Sequence, residues 1–95
     1  MYGTIFAMEV KEGHKQALLV EFNNQGDPNG MVAWLIMQPD NDDTHMKGFD
    51  VFKDKETYQA NANNPEQHTR FVRIMEHLVG EPSWTDGEYI AGNIS

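Results

Sequence analysis

The residues best suited to acid–base chemistry lie in the second half of the chain. His68 precedes Phe71 by three positions and Met75 by seven, a spacing that predicts a shared face of one helix. Histidine titrates near neutrality, so a histidine in a pocket could take a proton from a phenol or quinol. The alternative is a partly buried histidine bonded to a carbonyl. Tyr58 and Asn61 could face the same space from the preceding helix, which makes His68, Tyr58 and Asn61 the candidate catalytic residues.

Several other kinds of site are excluded by residue type and spacing. The chain has no cysteine, so it can form neither a disulfide nor a thiolate site. Its serines are Ser83 and Ser95, too few for a hydrolase constellation, and its glycines form no phosphate-binding loop. The histidines lack zinc spacing, and the acidic loop at 39–43 lacks the glycine and distal glutamate of a calcium loop. We therefore expect neither a metal nor another cofactor.

Composition limits the partners and the location. A chain of 95 residues forms one domain, here 1–95. Seven basic residues and a net charge of −8 argue against nucleic acid as a partner. The longest apolar run, 31–37, is too short to span a bilayer, and the first residues alternate like a strand and do not resemble a signal peptide. Without disulfides to stabilise a secreted domain, we expect a cytoplasmic protein with no membrane partner.

The elements follow from periodicity and from turn residues. Alternation and apolar runs predict strands, and Asp54 and Asn64-Pro65 mark the starts of two consecutive helices. Gly87 predicts a kink or bulge in the last strand. The predicted strands cover 2–10, 31–37, 44–52 and 84–90, and the predicted helices cover 12–25, a short segment after Asp54, and a segment from Asn64 to Gly80.

This order of elements predicts an α+β, ferredoxin-like fold. Two strand–helix–strand halves joined by a hairpin give an antiparallel four-stranded sheet with helices on one face. The other face should then be polar in a monomer. In the first strand, however, Phe6 and Met8 are on one face and the apolar residues Ile5 and Ala7 are on the other, and the second strand is apolar throughout. We therefore expect a homodimer that packs through the sheet faces. The alternative is a monomer whose second face is partly polar.

Four segments carry a resemblance that covers nearly the whole chain. They read VKEGHKQALLVEF (10–22), GMVAWLIMQPDNDD (30–43), VFKDKETYQANANNPEQHTRF (51–71) and EPSWTDGEYI (81–90). Together they resemble the antibiotic biosynthesis monooxygenase family of dimeric α/β-barrel proteins. The resemblance implies a pocket between the sheet and the two consecutive helices that begin near Asp54 and Asn64, which together we call the two-part helix. The positions where catalytic members often carry asparagine, tryptophan and histidine fall near Phe6, Asn61 and Phe71, which argues against haem degradation.

The resemblance and the residues together predict a small apolar or aromatic ligand. The residues expected to line its site, with core packing or dimer contact as the alternative, are Phe6, Trp34, His45, Phe49, Phe71 and Met75. The expected function is a cofactor-independent monooxygenase, an oxidoreductase acting on a hydroxylated aromatic or quinol. The alternatives are a non-catalytic ligand-binding or regulatory dimer of the same fold and a purely structural partner subunit.

Overall fold

The computed structural model describes residues 1–94 and confirms the predicted fold class. The elements are β1 (Tyr2–Glu9), α1 (Lys15–Asn24), β2 (Met31–Met37), β3 (His45–Phe52), α2 (Lys55–Ala62), α3 (Pro65–Met75) and β4 (Ser83–Glu88). The strands form one antiparallel sheet in the order β2-β3-β1-β4, and the three helices connect them. Within the described residues, no helix is both long and apolar enough to cross a membrane.

The hydrophobic core lies between the sheet and helices α1 and α3. Alternation places the even-numbered residues of β1 on the helix side, so that Phe6 and Met8 are buried there. Leu18 of α1 and Ile74 of α3 close the core from the other side. The same cluster also contains Val10, Met46 and Leu78.

Helix caps form where the turn residues predict them. The Asp54 carboxylate accepts a hydrogen bond from the Thr57 backbone N–H at 2.8 Å, which caps α2. The Asn64 side chain accepts one from the Glu66 N–H at 2.9 Å, and Pro65 is the first residue of α3. Each half of the two-part helix therefore has its own N-cap.

The predicted end of α3 is wrong. The helix ends at Met75 and not near Gly80, although Leu78 is buried as the helical spacing predicts. The backbone after the helix pairs with the end of β1 instead: the Val79 N–H donates to the Glu9 carbonyl at 2.8 Å. Long-range pairing therefore replaces the last predicted helical turn.

Two further boundaries differ from the prediction. α1 begins at Lys15 and not at Glu12, because Gly13 adopts a φ of +80° that interrupts helical geometry. The predicted bulge at Gly87 is absent, since β1 and β4 pair without interruption and Gly87 lies opposite Gly3. The irregularity lies in β2, between Met31 and Ala33.

The sheet face away from the helices is apolar and largely uncovered. We call it the open face. Ile5, Leu35 and Met37 are 55%, 60% and 61% exposed there, and Phe49 pairs with both Ile5 and Leu35. The other apolar members of this face are Ala7, Ala33 and the buried Val51. The face is therefore apolar around Ile5, Phe49 and Leu35, as the sequence pattern predicts, but it is polar at Lys47 and along β4, where Ser83 and Thr85 lie.

Candidate active site

An apolar cavity of about 130 Å³ lies between the sheet and helices α1 and α3. Aromatic rings form much of its wall. The ring of Trp84 on β4 lies 5.4 Å from that of Phe6 and 5.9 Å from that of Phe71, measured between centroids. On the other side, Phe22 stacks on Trp34 at 6.1 Å. These contacts fix the walls of a site suited to a flat, apolar ligand.

A glycine in the central strand makes room for the ring of Phe6. Gly48 of β3 lies between Phe6 of β1 and Ile36 of β2. A Cβ atom at this position would come within 2.5 Å of Phe6 Cζ and 2.8 Å of Ile36 Cδ1. Both side chains can therefore cross the middle strand only because residue 48 has no side chain.

The carboxyl group of Asp50 lines this mainly apolar cavity. Asp50 is half-buried, and its Oδ1 accepts a hydrogen bond from the Thr4 backbone N–H at 3.0 Å. Burial raises the pKa of Asp50 to about 6, and the nearby Asp86 carboxylate adds to this, while the Thr4 N–H opposes it. Asp50 therefore exchanges its proton near neutral pH, which suits a general base.

A second glycine allows Asp50 to adopt this position. Gly3 lies next to Thr4 in β1, and a Cβ atom there would lie 2.7 Å from Asp50 Oδ1 and closer still to its carbonyl oxygen. That carbonyl oxygen accepts a hydrogen bond from the Tyr89 hydroxyl at 2.6 Å. The backbone and the side chain of Asp50 are thus held by different partners.

Tyr58 is bound to a second carboxyl group nearby. Asp50 and Asp86 pair with Thr4 from opposite sides, on β3 and β4. The Tyr58 hydroxyl donates to Asp86 Oδ1 at 3.0 Å, and its ring packs edge-on against Phe52 with centroids 5.5 Å apart. Burial, and then the bond to Asp86, raise the pKa of Tyr58 above its ordinary value. Tyr58 is therefore a hydrogen-bond donor near the cavity and not a base at neutral pH.

The structure brings some of the predicted site residues together. Phe6, Trp34, Phe71 and Asn61 all line the cavity. The Trp34 indole N–H also donates to Asp27 Oδ1 at 3.2 Å, which holds the ring against the loop that follows α1. The structure therefore places these four residues around one cavity, and their roles in binding or catalysis stay predictions.

The predicted histidines lie outside this cavity. His68 is exposed on α3, because the stripe that faces the cavity runs through Gln67, Arg70, Phe71 and Ile74. His45 pairs with Glu9 at the other end of β3, and its Nδ1 lies 2.8 Å from Asp42 Oδ2. Neither histidine can therefore reach a ligand in the cavity in this conformation.

Three more predicted residues do not line the cavity. Phe49 belongs to the open face, because the even-numbered residues of β3 face the helices. Met75 packs against the hydrophobic core without lining the cavity. Tyr58 lies beside the cavity, through its bond to Asp86, and is not part of the wall.

Sequence reasoning missed Asp50, Arg70 and Trp84, which all line the cavity. A signal for Asp50 was present. It has the same parity in β3 as the buried residues Met46 and Phe52, so it is an acidic residue on the buried side of a strand. Such a residue is unusual unless it is paired or functional.

A polar cleft of about 390 Å³ adjoins the apolar cavity. The two spaces share Pro28, Asn61 and Arg70. The rest of the cleft is lined by Asn29, Thr57, Ala60, Asn64 and Glu66. Within residues 1–94, no group of three or more His, Cys, Asp or Glu side chains is placed to hold a metal ion.

Comparison with known proteins gives structural matches only. The sequence matches no protein-family model and no curated protein. A protein from Caulobacter crescentus provisionally named antibiotic biosynthesis monooxygenase superposes with a TM-score of 0.81 at 7% identity, over 95% of this chain and 90% of that chain. A protein of the same provisional name from Nitrosomonas europaea superposes with a TM-score of 0.79 at 16% identity, over 96% of this chain and 100% of that chain. Another Nitrosomonas europaea protein, of unknown function, superposes with a TM-score of 0.79 at 19% identity, over 99% of this chain and 93% of that chain.

Proposed function

We propose that this chain, which has the fold of the antibiotic biosynthesis monooxygenases, oxidises a hydroxylated aromatic or quinol with molecular oxygen. The observation that carries the proposal is the Asp50 carboxyl, which lies among aromatic side chains with its pKa raised to about 6. The names of the structural neighbours support a monooxygenase in general. The proposed substrate class is inferred from the aromatic walls and the volume of the cavity.

Asp50 would begin the reaction by accepting a proton from a ring hydroxyl. The resulting anion is electron-rich and can reduce oxygen directly. One oxygen atom becomes a ring substituent and the other leaves as water, so that a hydroquinone becomes a hydroxyquinone and all the electrons come from the substrate. The buried ring of Phe6 reduces the contact of the anion with water, which strengthens the interactions of the anion with the protein.

Two of the predicted catalytic residues keep a part in this proposal. The Asn61 amide lines the cavity and can donate a hydrogen bond to the oxyanion that develops on the substrate. Tyr58 acts as a positioning residue, because it holds Asp86, whose charge helps to raise the pKa of Asp50. The exposed His68 has no part and provides a control.

Oxygen uptake by the purified protein tests the reaction. With a panel of hydroquinones and isotopically labelled O2, we expect uptake above the buffer rate and one labelled atom in the product. Asp50→Asn should lower the rate about 100-fold, in the range typical for a general base. His68→Ala should leave the rate unchanged.

Two results would contradict this function. Formation of hydrogen peroxide and an unlabelled quinone would indicate simple quinol oxidation and not monooxygenation. Thermal stabilisation by the same compounds with no uptake above buffer would favour the alternative, a non-catalytic ligand-binding protein.

We also infer that a second copy of the chain covers the open face. Ile5, Leu35 and Met37 are each more than half exposed on one face of one sheet. A contiguous apolar surface of this kind is unusual in a soluble monomer, and a two-fold partner would bury it symmetrically. Sedimentation should therefore give a dimer for the wild type and a folded monomer for Leu35→Glu. Val72→Glu, on the exposed surface of α3, is the control that should stay dimeric.

A further inference from the structure

Arg70 lies where the apolar cavity meets the polar cleft. It lines both spaces, as do Asn61 and Pro28. The apolar cavity, at about 130 Å³, is close to the roughly 150 Å³ of a dry protein cavity that accepts benzene. It therefore has room for about one aromatic ring. A further part of a ligand can extend into the adjoining cleft, past Arg70.

Arg70 is the side chain at this junction that can attract an anion. Within residues 1–94, Arg70 is the one cationic side chain that lines either space, and Glu66 is the one acidic side chain that lines the cleft. Asp27 and Asp50 line the apolar cavity, where Asp27 accepts the Trp34 indole N–H and Asp50 accepts the Thr4 N–H. An anionic group that enters the cleft therefore meets its favourable partner at Arg70.

The present partner of Arg70 is weakly held. Its Nη2 atom lies 3.8 Å from Glu66 Oε2, and the Glu66 side chain is 79% exposed. Ion pairs of this length at the surface contribute little. The Arg70 side chain itself is only 30% exposed, so a ligand carboxylate that replaced Glu66 would be better shielded from water and could form two parallel hydrogen bonds.

We propose that Arg70 forms a carboxylate-binding subsite. This inference rests on the proposed function and names its substrate class. The substrate is a single hydroxylated ring with a short side chain that carries a carboxylate. The ring occupies the apolar cavity next to Asp50, and the carboxylate lies in the cleft against the guanidinium group of Arg70.

Homogentisate and its methyl ester test the subsite, because they share a hydroquinone ring and differ in the charge of the side chain. Binding can be followed without oxygen by quenching of Trp34 and Trp84, which line the cavity. We expect homogentisate to bind about 10-fold or more tightly than the ester. Arg70→Gln should remove that preference and leave ester binding unchanged. Arg73→Gln removes the same charge from the exposed surface of α3. It should change neither the preference for the acid nor the binding of the ester.

Equal binding of the acid and the ester to the wild type would overturn the subsite, and so would an Arg70→Gln variant that loses affinity for both compounds alike. If Arg70→Gln does not fold, Arg70→Lys replaces it. That variant keeps the charge without the paired donors and should retain only part of the preference. A lysine variant with the full wild-type preference would show that general charge and not a guanidinium fork is responsible, which also overturns the proposed geometry.

Oxygen uptake separates the subsite from the oxygenase reaction. If the ester is oxidised while the acid and the ester bind equally, the proposed function stands and the subsite fails. If homogentisate binding depends on Arg70 and neither compound is oxidised, the subsite stands and the oxygenase reaction fails.

Discussion

Replacement of Asp50 by asparagine should change how stability depends on pH. The pKa of Asp50 is about 6 in the folded protein, against an ordinary value of 3.8. A raised pKa means that the folded state binds this proton more tightly than the unfolded chain does. The contribution of Asp50 to the free energy of unfolding is therefore most favourable below about pH 3.8 and is lost as the pH rises through about 6. Asparagine keeps an oxygen for the Thr4 N–H but has no charge to desolvate.

The size of the effect follows from that difference in pKa. A change from 3.8 to about 6 corresponds to about 3 kcal/mol for a group without solvent screening. Asp50 is half-buried, so screening reduces the expected value to about 1–2 kcal/mol. About half of this difference in the free energy of unfolding should develop above about pH 5. Asp50→Asn should therefore be more stable than the wild type by about 1–2 kcal/mol at about pH 8 and nearly equal to it at about pH 3.5.

Urea titrations followed by tryptophan fluorescence can measure this difference. The isoelectric point near 4.7 should be avoided, so measurements belong near pH 3.5 and between about pH 5 and 8, at one protein concentration. With a slope of about 1 kcal/mol per molar urea, the midpoints of the two proteins should separate by roughly a further 0.5–1 M between about pH 5 and 8. Asp43→Asn, in the exposed hairpin loop, removes the same formal charge as a control.

A constant difference between Asp50→Asn and the wild type at every pH would refute this reasoning. It would mean that Asp50 has the same affinity for protons in the folded and unfolded states. An Asp50→Asn protein that is less stable than the wild type at about pH 8 would refute it as well, because the charged form would then be stabilising. Either result would also remove the basis for Asp50 as the catalytic base.

Two further substitutions test the packing and the helix caps. Gly48→Ala should destabilise the protein by about 1–3 kcal/mol in urea titrations, because the added methyl group meets the Phe6 ring. The same change at Gly87, where a Cβ has open space, should have a much smaller effect, and equal losses at both sites would contradict the close packing. Asn64→Ala should remove the α3 cap and lower stability by about 1 kcal/mol. Asn63→Ala, one residue earlier, should change stability less, and the reverse order would contradict the cap assignment.

Local signals in the sequence predict most of the fold. The apolar run at 31–37 places β2 at its observed bounds, and the positions of Asp54 and Asn64 predict both N-caps of the two-part helix. These features depend on residues that are close in the sequence. The end of α3 does not, because Leu78 fits a helical repeat but its backbone pairs with Val10, the residue after β1. Only the folded arrangement shows which of the two interactions forms.

The site was harder to predict than the fold. Phe6, Trp34 and Phe71 are large residues on buried faces, and they do line the cavity. Phe49 was misplaced because β3 is apolar on both sides, so its pattern does not show which side faces the helices. His68 was misplaced because the stripe of α3 that faces the cavity is rotated by one position from the predicted one. The parity and rotation of an element are set by its partners and not by its own residues.

The structure of α2 has a consequence for local dynamics. None of its residues is buried, and its own N-cap at Asp54 and the separate cap of α3 at Asn64 make it an independent helical segment. The Tyr58 ring and hydroxyl supply its contacts with Phe52 and Asp86 on the sheet. Amide protons of α2 should therefore exchange with solvent deuterium sooner than those of α3 or β1, since few interactions oppose its transient unfolding. Because Asn61 lies on this segment, such openings would repeatedly uncover the boundary between the two spaces without disturbing the sheet.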